Sequence, residues 1–177
     1  MTNKTTKELA QYSLFAALIF LSVQSLRIPV GPQFVHLGNA LVVIGLLLYG
    51  SKVGALVASI GLGVFDLLNG YASVAWITIL ESLVVCLVLH LVYEKALKAD
   101  DKTQNIIIVA VVAAITKIIL NFIKYTITNI VVGNLTFGVA ASTAIVKIGG
   151  TFGTALVTII AVPILYPIFK RIVGLIK

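Results

Sequence analysis

The sequence is poor in cysteine, in acidic residues and in charge generally, and each shortage argues against a class of protein. Cys86 is the only cysteine among 177 residues, so an intrachain disulfide is impossible and a thiolate metal site is not expected. Charged residues make up 11% of the chain, against about 25% in soluble domains. The net charge is +7, yet the basic residues occur singly or at helix ends rather than in the aromatic-lined stripe of a nucleic-acid-binding protein. We therefore expect no metal, no cofactor and no nucleic-acid partner.

Apolar residues dominate what remains. They account for 60% of the chain and run almost without interruption from Leu9 to Ile176. This composition predicts an integral membrane protein in contact with a lipid bilayer, and it leaves no stretch for a soluble catalytic domain. We expect residues 1–177 to form a single membrane domain. The basic, apolar N-terminus has no small-residue cleavage site before 27–33, so it is predicted to be a retained first helix.

Turn-forming residues divide the apolar sequence into six predicted helices, giving an all-α bundle. The breaks lie at 27–33, 50–52, 69–73, 95–105 and 132–138, and the predicted helices span 8–26, 36–49, 53–69, 74–95, 106–131 and 139–169. The second helix is too short to cross a hydrocarbon core of about 30 Å by itself. It either extends into 33–35 or has its end buried among its neighbours. In a rival interpretation, 36–69 is one long helix and the chain crosses the membrane five times.

The distribution of basic residues favours six helices. With six spans, one side of the membrane collects nine basic residues and the other only Arg27. The nine are Lys4, Lys7, Lys52, Lys95, Lys98, Lys102, Lys170, Arg171 and Lys177. The positive-inside rule then predicts that both termini are cytoplasmic.

Polar residues inside the predicted helices fall at one level, in the half of the membrane away from the termini. Lys117, Asn121, Lys124 and Thr128 lie on one helical stripe, with Tyr125 at its edge. Predicted at a similar depth or nearer the outer surface are Asn39, Asp66, Glu81 and Lys147. A charge inside the membrane is costly unless it is partnered or functional. Ion pairs that fix helix register are one explanation, and a polar pocket open to the outside is the other, which we favour for the set as a whole.

The segment above this level, RIPVGPQFVHLGN, contains two prolines and two glycines and cannot continue a helix. We expect it to cap the bundle as an ordered lid over the pocket. His36, within it, is a candidate ligand contact or a capping residue. Trp76 is a candidate pocket wall or a member of an interfacial aromatic belt.

No sequence motif indicates an enzyme. GLLLYGSK (45–52) resembles a phosphate-binding loop, but its serine and lysine are reversed and no strand precedes it. GLGVFD (61–66) lacks the last glycine of a dinucleotide-binding motif. Clustered histidine or cysteine ligands are also missing from the sequence. The chain is therefore predicted to lack catalytic residues and enzymatic activity.

Small residues four apart on the first helix mark a possible contact surface for another helix. Ser13 and Ala17 form this stripe, where a second backbone could approach closely. The stripe serves either packing within the bundle or docking to a different membrane subunit.

The run FVHLGNALVVIGLLLYGSKVGALVASIGLGVFDLLNGYASVAW (34–76) resembles the S components of energy-coupling factor (ECF) vitamin transporters, especially their riboflavin-transporter-related branch. In that branch an H-L-G-[ND]-A segment leads into helix two and a G-x-x-x-G-A segment opens helix three. The resemblance implies a multi-pass protein of the bacterial cell membrane that captures a vitamin outside. It also implies association with a transmembrane T component and two cytoplasmic ATPases, which form an ABC-type importer with it. Ser13 and Ala17 correspond to the family's A-x-x-x-A contact with the T component.

The resemblance is closest to members assigned to hydroxymethylpyrimidine or pyridoxine, which are small, planar and polar. Riboflavin is disfavoured because its larger ring system would require more aromatic wall. The predicted substrate-binding residues are His36, Asn39, Asp66, Trp76, Glu81, Asn121, Lys124, Tyr125 and Lys147. A secondary transporter coupled to protons through Asp66 or Glu81 is the main alternative function, and a purely structural membrane subunit is another.

Overall fold

The fold is a bundle of membrane-type helices with one small β-hairpin inserted near its start. The computed structural model describes the backbone of residues 2–176 and the side chains of residues 6–175. The elements are α1 (Thr2–Leu26), β1 (Ile28–Val30), β2 (Gln33–Val35), α2 (Gly38–Tyr49), α3 (Ser51–Leu68), α4 (Ala75–Leu89), α5 (Thr103–Val131), α6 (Phe137–Lys147) and α7 (Gly149–Ile176). A 3₁₀ turn (Ala72–Val74) precedes α4, and a π-helical segment (His90–Ala96) extends it.

Five helices of the described chain are long and apolar enough to cross a membrane. They lie within Thr6–Leu26, Ser51–Leu68, Ala72–Ala96, Thr103–Val131 and Gly149–Leu175. Their exposed surfaces are rows of leucine, isoleucine and valine, as lipid contact requires. The helical, membrane-type fold predicted from the sequence is confirmed at this level.

The short helix α2 lies at the centre of the bundle. Most of its residues are buried, and Ile44 and Leu46 are fully enclosed. It packs against α1, α3 and α7, which cover its apolar surface on several sides. Of the two explanations for its shortness, burial among its neighbours is therefore the one the structure supports, because 33–35 forms a strand instead of extending the helix.

The rival interpretation of 36–69 as one helix is wrong. The chain breaks at Gly50, whose φ of 83° lies in the left-handed region that favours glycine. Its backbone N–H still bonds Leu46, closing α2, and α3 begins at the next residue.

Two boundaries also differ from prediction. The helix predicted over 139–169 is two helices, α6 and α7, because Ile148 leaves the helical conformation (φ −86°, ψ 17°) just before Gly149 and Gly150. The segment 27–37, expected as an ordered lid that cannot continue a helix, contains an antiparallel hairpin in which Ile28 pairs with Val35. The positive φ of Gly31, 58°, closes the turn between its strands.

Candidate functional site

A polar cavity of about 200 Å³ lies between the helices directly beneath the hairpin. Every helix of the bundle except α6 contributes to its wall, as does strand β2. Seven of the nine predicted substrate-binding residues line it: His36, Asn39, Asp66, Glu81, Asn121, Lys124 and Tyr125. Their roles in binding remain predictions, but the structure brings them together around one space.

The centre of the polar wall is a carboxylate shared by two lysines. Glu81 on α4 is buried, and its Oε1 lies 2.8 Å from Nζ of Lys124 on α5. Its other oxygen, Oε2, accepts a hydrogen bond from Lys117, which lies about two helical turns before Lys124 on α5. The side chain of Lys124 is 29% exposed and that of Lys117 is 16% exposed. Lys124 is therefore the more accessible cation of the pair.

Asn121 connects this charged group to the hairpin. It lies between the two lysines on the α5 stripe, and its Oδ1 accepts a hydrogen bond from Nε2 of Gln33 at 3.2 Å. The Gln33 side-chain oxygen in turn accepts hydrogen bonds from the backbone N–H and the hydroxyl of Thr151, both at 2.8 Å. A single side chain on β2 therefore joins the hairpin to α5 and α7.

The first turns of α7 hold the hairpin along its length. The Thr154 hydroxyl donates to the backbone oxygen of Phe34 at 3.1 Å, and the His36 N–H lies 3.4 Å from the same hydroxyl. Gly150 permits this approach, because a Cβ there would lie 2.7 Å from Cβ of Gln33. These contacts hold the segment that was predicted as a lid against α7, over the cavity.

His36 has a structural role at the start of α2. Its Nδ1 accepts a hydrogen bond from the N–H of Gly38 at 3.1 Å. Burial of the imidazole, reinforced by the positive charge of Lys117, lowers the pKa of His36 to about 4. The ring is consequently neutral near pH 7, as an accepting Nδ1 requires. Because His36 also lines the cavity, the capping role and the predicted ligand contact are compatible.

Aromatic residues also line the cavity. Phe65 and Tyr71 stack with ring centroids 6.2 Å apart, and Phe34 meets Tyr71 edge-on at 6.4 Å. The guanidinium of Arg27 lies over both phenylalanine rings, 5.0 Å from Phe34 and 5.1 Å from Phe65. The cavity therefore combines an aromatic surface, against which a planar ring can lie, with polar groups that can bind the substituents of that ring.

Two predicted residues do not line the cavity. Trp76 is 64% exposed on the bundle surface, which agrees with the alternative of an interfacial aromatic belt. Lys147 falls in the last turn of α6, where its Nζ donates to Oδ1 of Asn129 at 2.7 Å. Its nearest link to the site is indirect, since it lies 6.0 Å from the Tyr125 ring centroid. The break at Ile148 explains its position, because it ends the helix on which the depth of Lys147 was estimated.

Sequence reasoning did not select several lining residues. They are Val23, Pro32, Gln33, Phe34, Leu62, Phe65, Tyr71, Val74, Thr78, Lys117, Thr151 and Thr154. A signal for two of them was present in GGTFGTALVT (149–158), where Thr151, Thr154 and Thr158 recur at helical spacing beside closely spaced glycines. The aromatic residues carried no such signal, because phenylalanine and tyrosine are ordinary in membrane helices and at their ends.

Replacing Gln33 with leucine is expected to loosen the hairpin, because the variant loses its hydrogen bonds to Asn121 and Thr151. Limited trypsin digestion of the purified protein should then cut after Arg27 several-fold faster than in the parent. Ligand should slow this cleavage in the parent. Cleavage after Lys102, in the loop at the opposite end of the bundle, serves as an internal control. Equal rates at Arg27 in parent and variant would contradict the fastening described above.

A helical bundle with membrane-spanning lengths, enclosing a polar and aromatic cavity under a fastened hairpin, defines a membrane-embedded binding protein. Residues 3–171 match the family model described as "ECF-type riboflavin transporter, S component". The chain therefore belongs to the S component family of ECF-type riboflavin transporters. The comparisons found no match to this chain among curated proteins or among solved structures.

Family membership establishes the general role of the chain. ECF S components are substrate-binding subunits of vitamin-uptake transporters, and they are multi-pass proteins of the cell membrane rather than enzymes. They bind a small vitamin substrate and work with a T component and ATPases. These findings confirm the family resemblance, the predicted membrane location and the prediction that the chain is not an enzyme.

Proposed function

We propose that this chain captures a single-ring vitamin precursor, hydroxymethylpyrimidine or pyridoxine, on the extracellular side of the membrane. The observation that carries the proposal is the cavity beneath the hairpin, which has about 200 Å³ of space. That volume lies below the roughly 300–1,000 Å³ of pockets for drug-sized ligands. A single substituted ring suits such a space. Its flat face would contact Phe65 and Tyr71, while its polar substituents would bond Lys124 and Asn121.

Riboflavin is the second candidate, because the family description names it. The stacked pair Phe65 and Tyr71, with Phe34 beside it, provides more aromatic surface than the sequence alone indicated. Against riboflavin, its three fused rings and sugar-alcohol chain must fit a cavity of about 200 Å³. An ion-coupled secondary transporter has less support, because S components work with ATPases.

The extracellular orientation rests on charge. The hairpin end of the bundle carries Arg27 as its basic loop residue, whereas Lys52, Lys95 and Lys170 lie toward the opposite end. The positive-inside rule places the basic end in the cytoplasm and the hairpin outside. In this arrangement the five long helices and the buried helix α2 together make six passes, with both termini inside.

The experiment is a titration of the purified chain, without T component or ATP, against three ligands. Either hydroxymethylpyrimidine or pyridoxine should be the tightest-binding of the three ligands. Riboflavin should bind at least tenfold more weakly than that compound. Identification of any molecule that copurifies gives an independent answer. Tighter binding of riboflavin than of either single-ring compound would refute the proposed substrate, and no binding without a proton gradient would favour the secondary transporter.

The surface proposed for the T component is an apolar groove beside the buried face of α1. Phe15 and Ala16 pack into the bundle, whereas Ser13 and Ala17 are exposed in an apolar groove between α1 and α3. Packing within the chain therefore leaves Ser13 and Ala17 exposed. Its small side chains leave room for a partner helix to approach closely.

Replacing Ala17 with tryptophan is expected to fill this groove and weaken assembly with the T component at least tenfold. Ligand affinity of the isolated chain should stay unchanged, because Ala17 does not line the cavity. Leu14→Trp is the matched control, since Leu14 is exposed on α1 outside the groove. Copurification of the complex and calorimetry of the free subunit measure the two effects. Intact assembly of Ala17→Trp, or equal losses in both measurements, would count against the surface.

A further inference from the structure

Asp66 differs from Glu81, the other acidic residue that lines the cavity, because no described side chain forms an ion pair with it. It lies near the end of α3, lines the cavity and is 6% exposed. Its Oδ2 is buried without a hydrogen-bond partner. Among the side chains of residues 6–175, no lysine, arginine or histidine forms an ion pair with it. The Thr78 hydroxyl lies beside the carboxylate but supplies no charge.

The contrast with Glu81 shows that this is not a general shortage of cations. Lys117 and Lys124 both form ion pairs with Glu81, one with each of its oxygens. Glu81 thus has two cations and Asp66 has none, although both carboxylates line the same cavity. An ion pair that fixes helix register therefore accounts for Glu81 but not for Asp66. A buried polar atom left unpaired costs free energy, and a buried carboxylate costs more than a neutral group.

We infer that Asp66 is the specificity-determining acceptor of the site, and that the substrate is an amino-substituted heteroaromatic ring whose N–H groups pair with this carboxylate. The inference rests on the proposed function and narrows its substrate class. An amino group on a ring donates hydrogen bonds in the ring plane, which allows the ring face to rest on Phe65 and Tyr71.

This assignment separates the two proposed substrates. Hydroxymethylpyrimidine carries an amino group beside a ring nitrogen, so it can supply the donor that Asp66 lacks. Pyridoxine has hydroxyl donors but no amino group, and a negatively charged ring substituent would be repelled by the carboxylate. A site built around a hydrogen bond rejects an analogue lacking the donor, because the protein group is then left buried and unpaired.

The test compares hydroxymethylpyrimidine with its des-amino analogue, which has the same ring and hydroxymethyl group. Calorimetric affinities are measured for the parent, for Asp66→Asn and for Asp101→Asn. Asp101 lies at the opposite end of the bundle, where it accepts hydrogen bonds from Tyr166 and Lys170. The parent and Asp101→Asn should bind the amino compound at least tenfold tighter than the analogue. In Asp66→Asn the ratio of the two affinities should fall close to one, because this variant binds the amino compound more weakly.

The parent protein alone shows whether the amino group contributes to binding, so the proposal can be tested even if Asp66→Asn fails to fold. Equal affinity of the parent for both compounds would overturn the role of Asp66 while leaving a single-ring substrate in place. A folded Asp66→Asn protein that keeps the parent's ratio would overturn it as well. If the parent binds neither compound but binds riboflavin, the proposed function itself fails, and the inference fails with it.

Discussion

Replacing Glu81 with glutamine is expected to lower the free energy of unfolding by about 3–5 kcal/mol, the cost typical of breaking a buried ion pair. The variant keeps the shape of the side chain but removes the single charge that neutralises both Lys117 and Lys124. Lys117 and Lys124 would then lack the carboxylate that each of them contacts directly. Thermal and denaturant unfolding of the protein in detergent measures the change.

The matched control is Asp100→Asn. Asp100 pairs with Lys102 at 2.9 Å, but this pair is exposed to solvent in the loop before α5. Exposed pairs of this kind contribute little to stability, so the control should unfold like the parent. A Glu81→Gln protein as stable as this control would show that the lysines do not depend on Glu81, and the ionic centre of the site would have to be reassigned.

Replacing Gly150 with alanine is expected to reduce ligand affinity at least tenfold, or about 1.4 kcal/mol or more. A Cβ at this position would lie 2.7 Å from Cβ of Gln33 and 3.3 Å from the backbone nitrogen of Phe34. Strand β2 must move away to accommodate it, which withdraws both residues from the cavity wall. The measurement is calorimetric affinity for hydroxymethylpyrimidine, combined with the rate of tryptic cleavage after Arg27.

The neighbouring glycine provides the control. A Cβ at Gly149 meets only a Val30 methyl group, at the ordinary contact distance of 3.7 Å. Alanine also favours the helical conformation relative to glycine at both positions, so helix propensity cannot explain a difference between the two variants. Gly149→Ala should bind ligand like the parent. Similar affinities for Gly150→Ala and Gly149→Ala would mean that close packing of β2 on α7 does not shape the site.

Much of the fold was predictable because the bilayer imposes simple rules on sequence. Long apolar segments must be helices, and turn residues must separate them, so most helix boundaries followed from residues such as Gly50. The break at Ile148 escaped prediction although Gly149 and Gly150 follow it, because glycine is frequent within membrane helices as well as in turns. The hairpin also escaped, since Ile28–Val30 and Gln33–Val35 are only three residues each.

The polar half of the site was predictable and the partnering within it was not. Membrane burial makes each charge conspicuous, so Glu81, Lys124 and Asp66 stood out by depth alone. The depth of a residue in the membrane does not determine which acidic residue forms an ion pair with which lysine. That depends on helix rotation and crossing, which placed both lysines on Glu81 and left Asp66 unpaired. Lys147 shows the same limit, because its position was estimated on a predicted helix, 139–169, that in the structure ends at Lys147.

The most direct test of the account is the affinity of Lys124→Ala for hydroxymethylpyrimidine, measured by calorimetry on protein shown to be folded in detergent. Lys124 is the more exposed of the two lysines on Glu81, so we expect it to bond the ligand. Its loss should remove a charge-assisted hydrogen bond worth about 1.5–3 kcal/mol, or roughly ten- to a hundredfold in affinity. Lys117→Ala should affect stability more than binding. A folded Lys124→Ala protein that binds as tightly as the parent would contradict the account, because the ligand would then have to bind elsewhere.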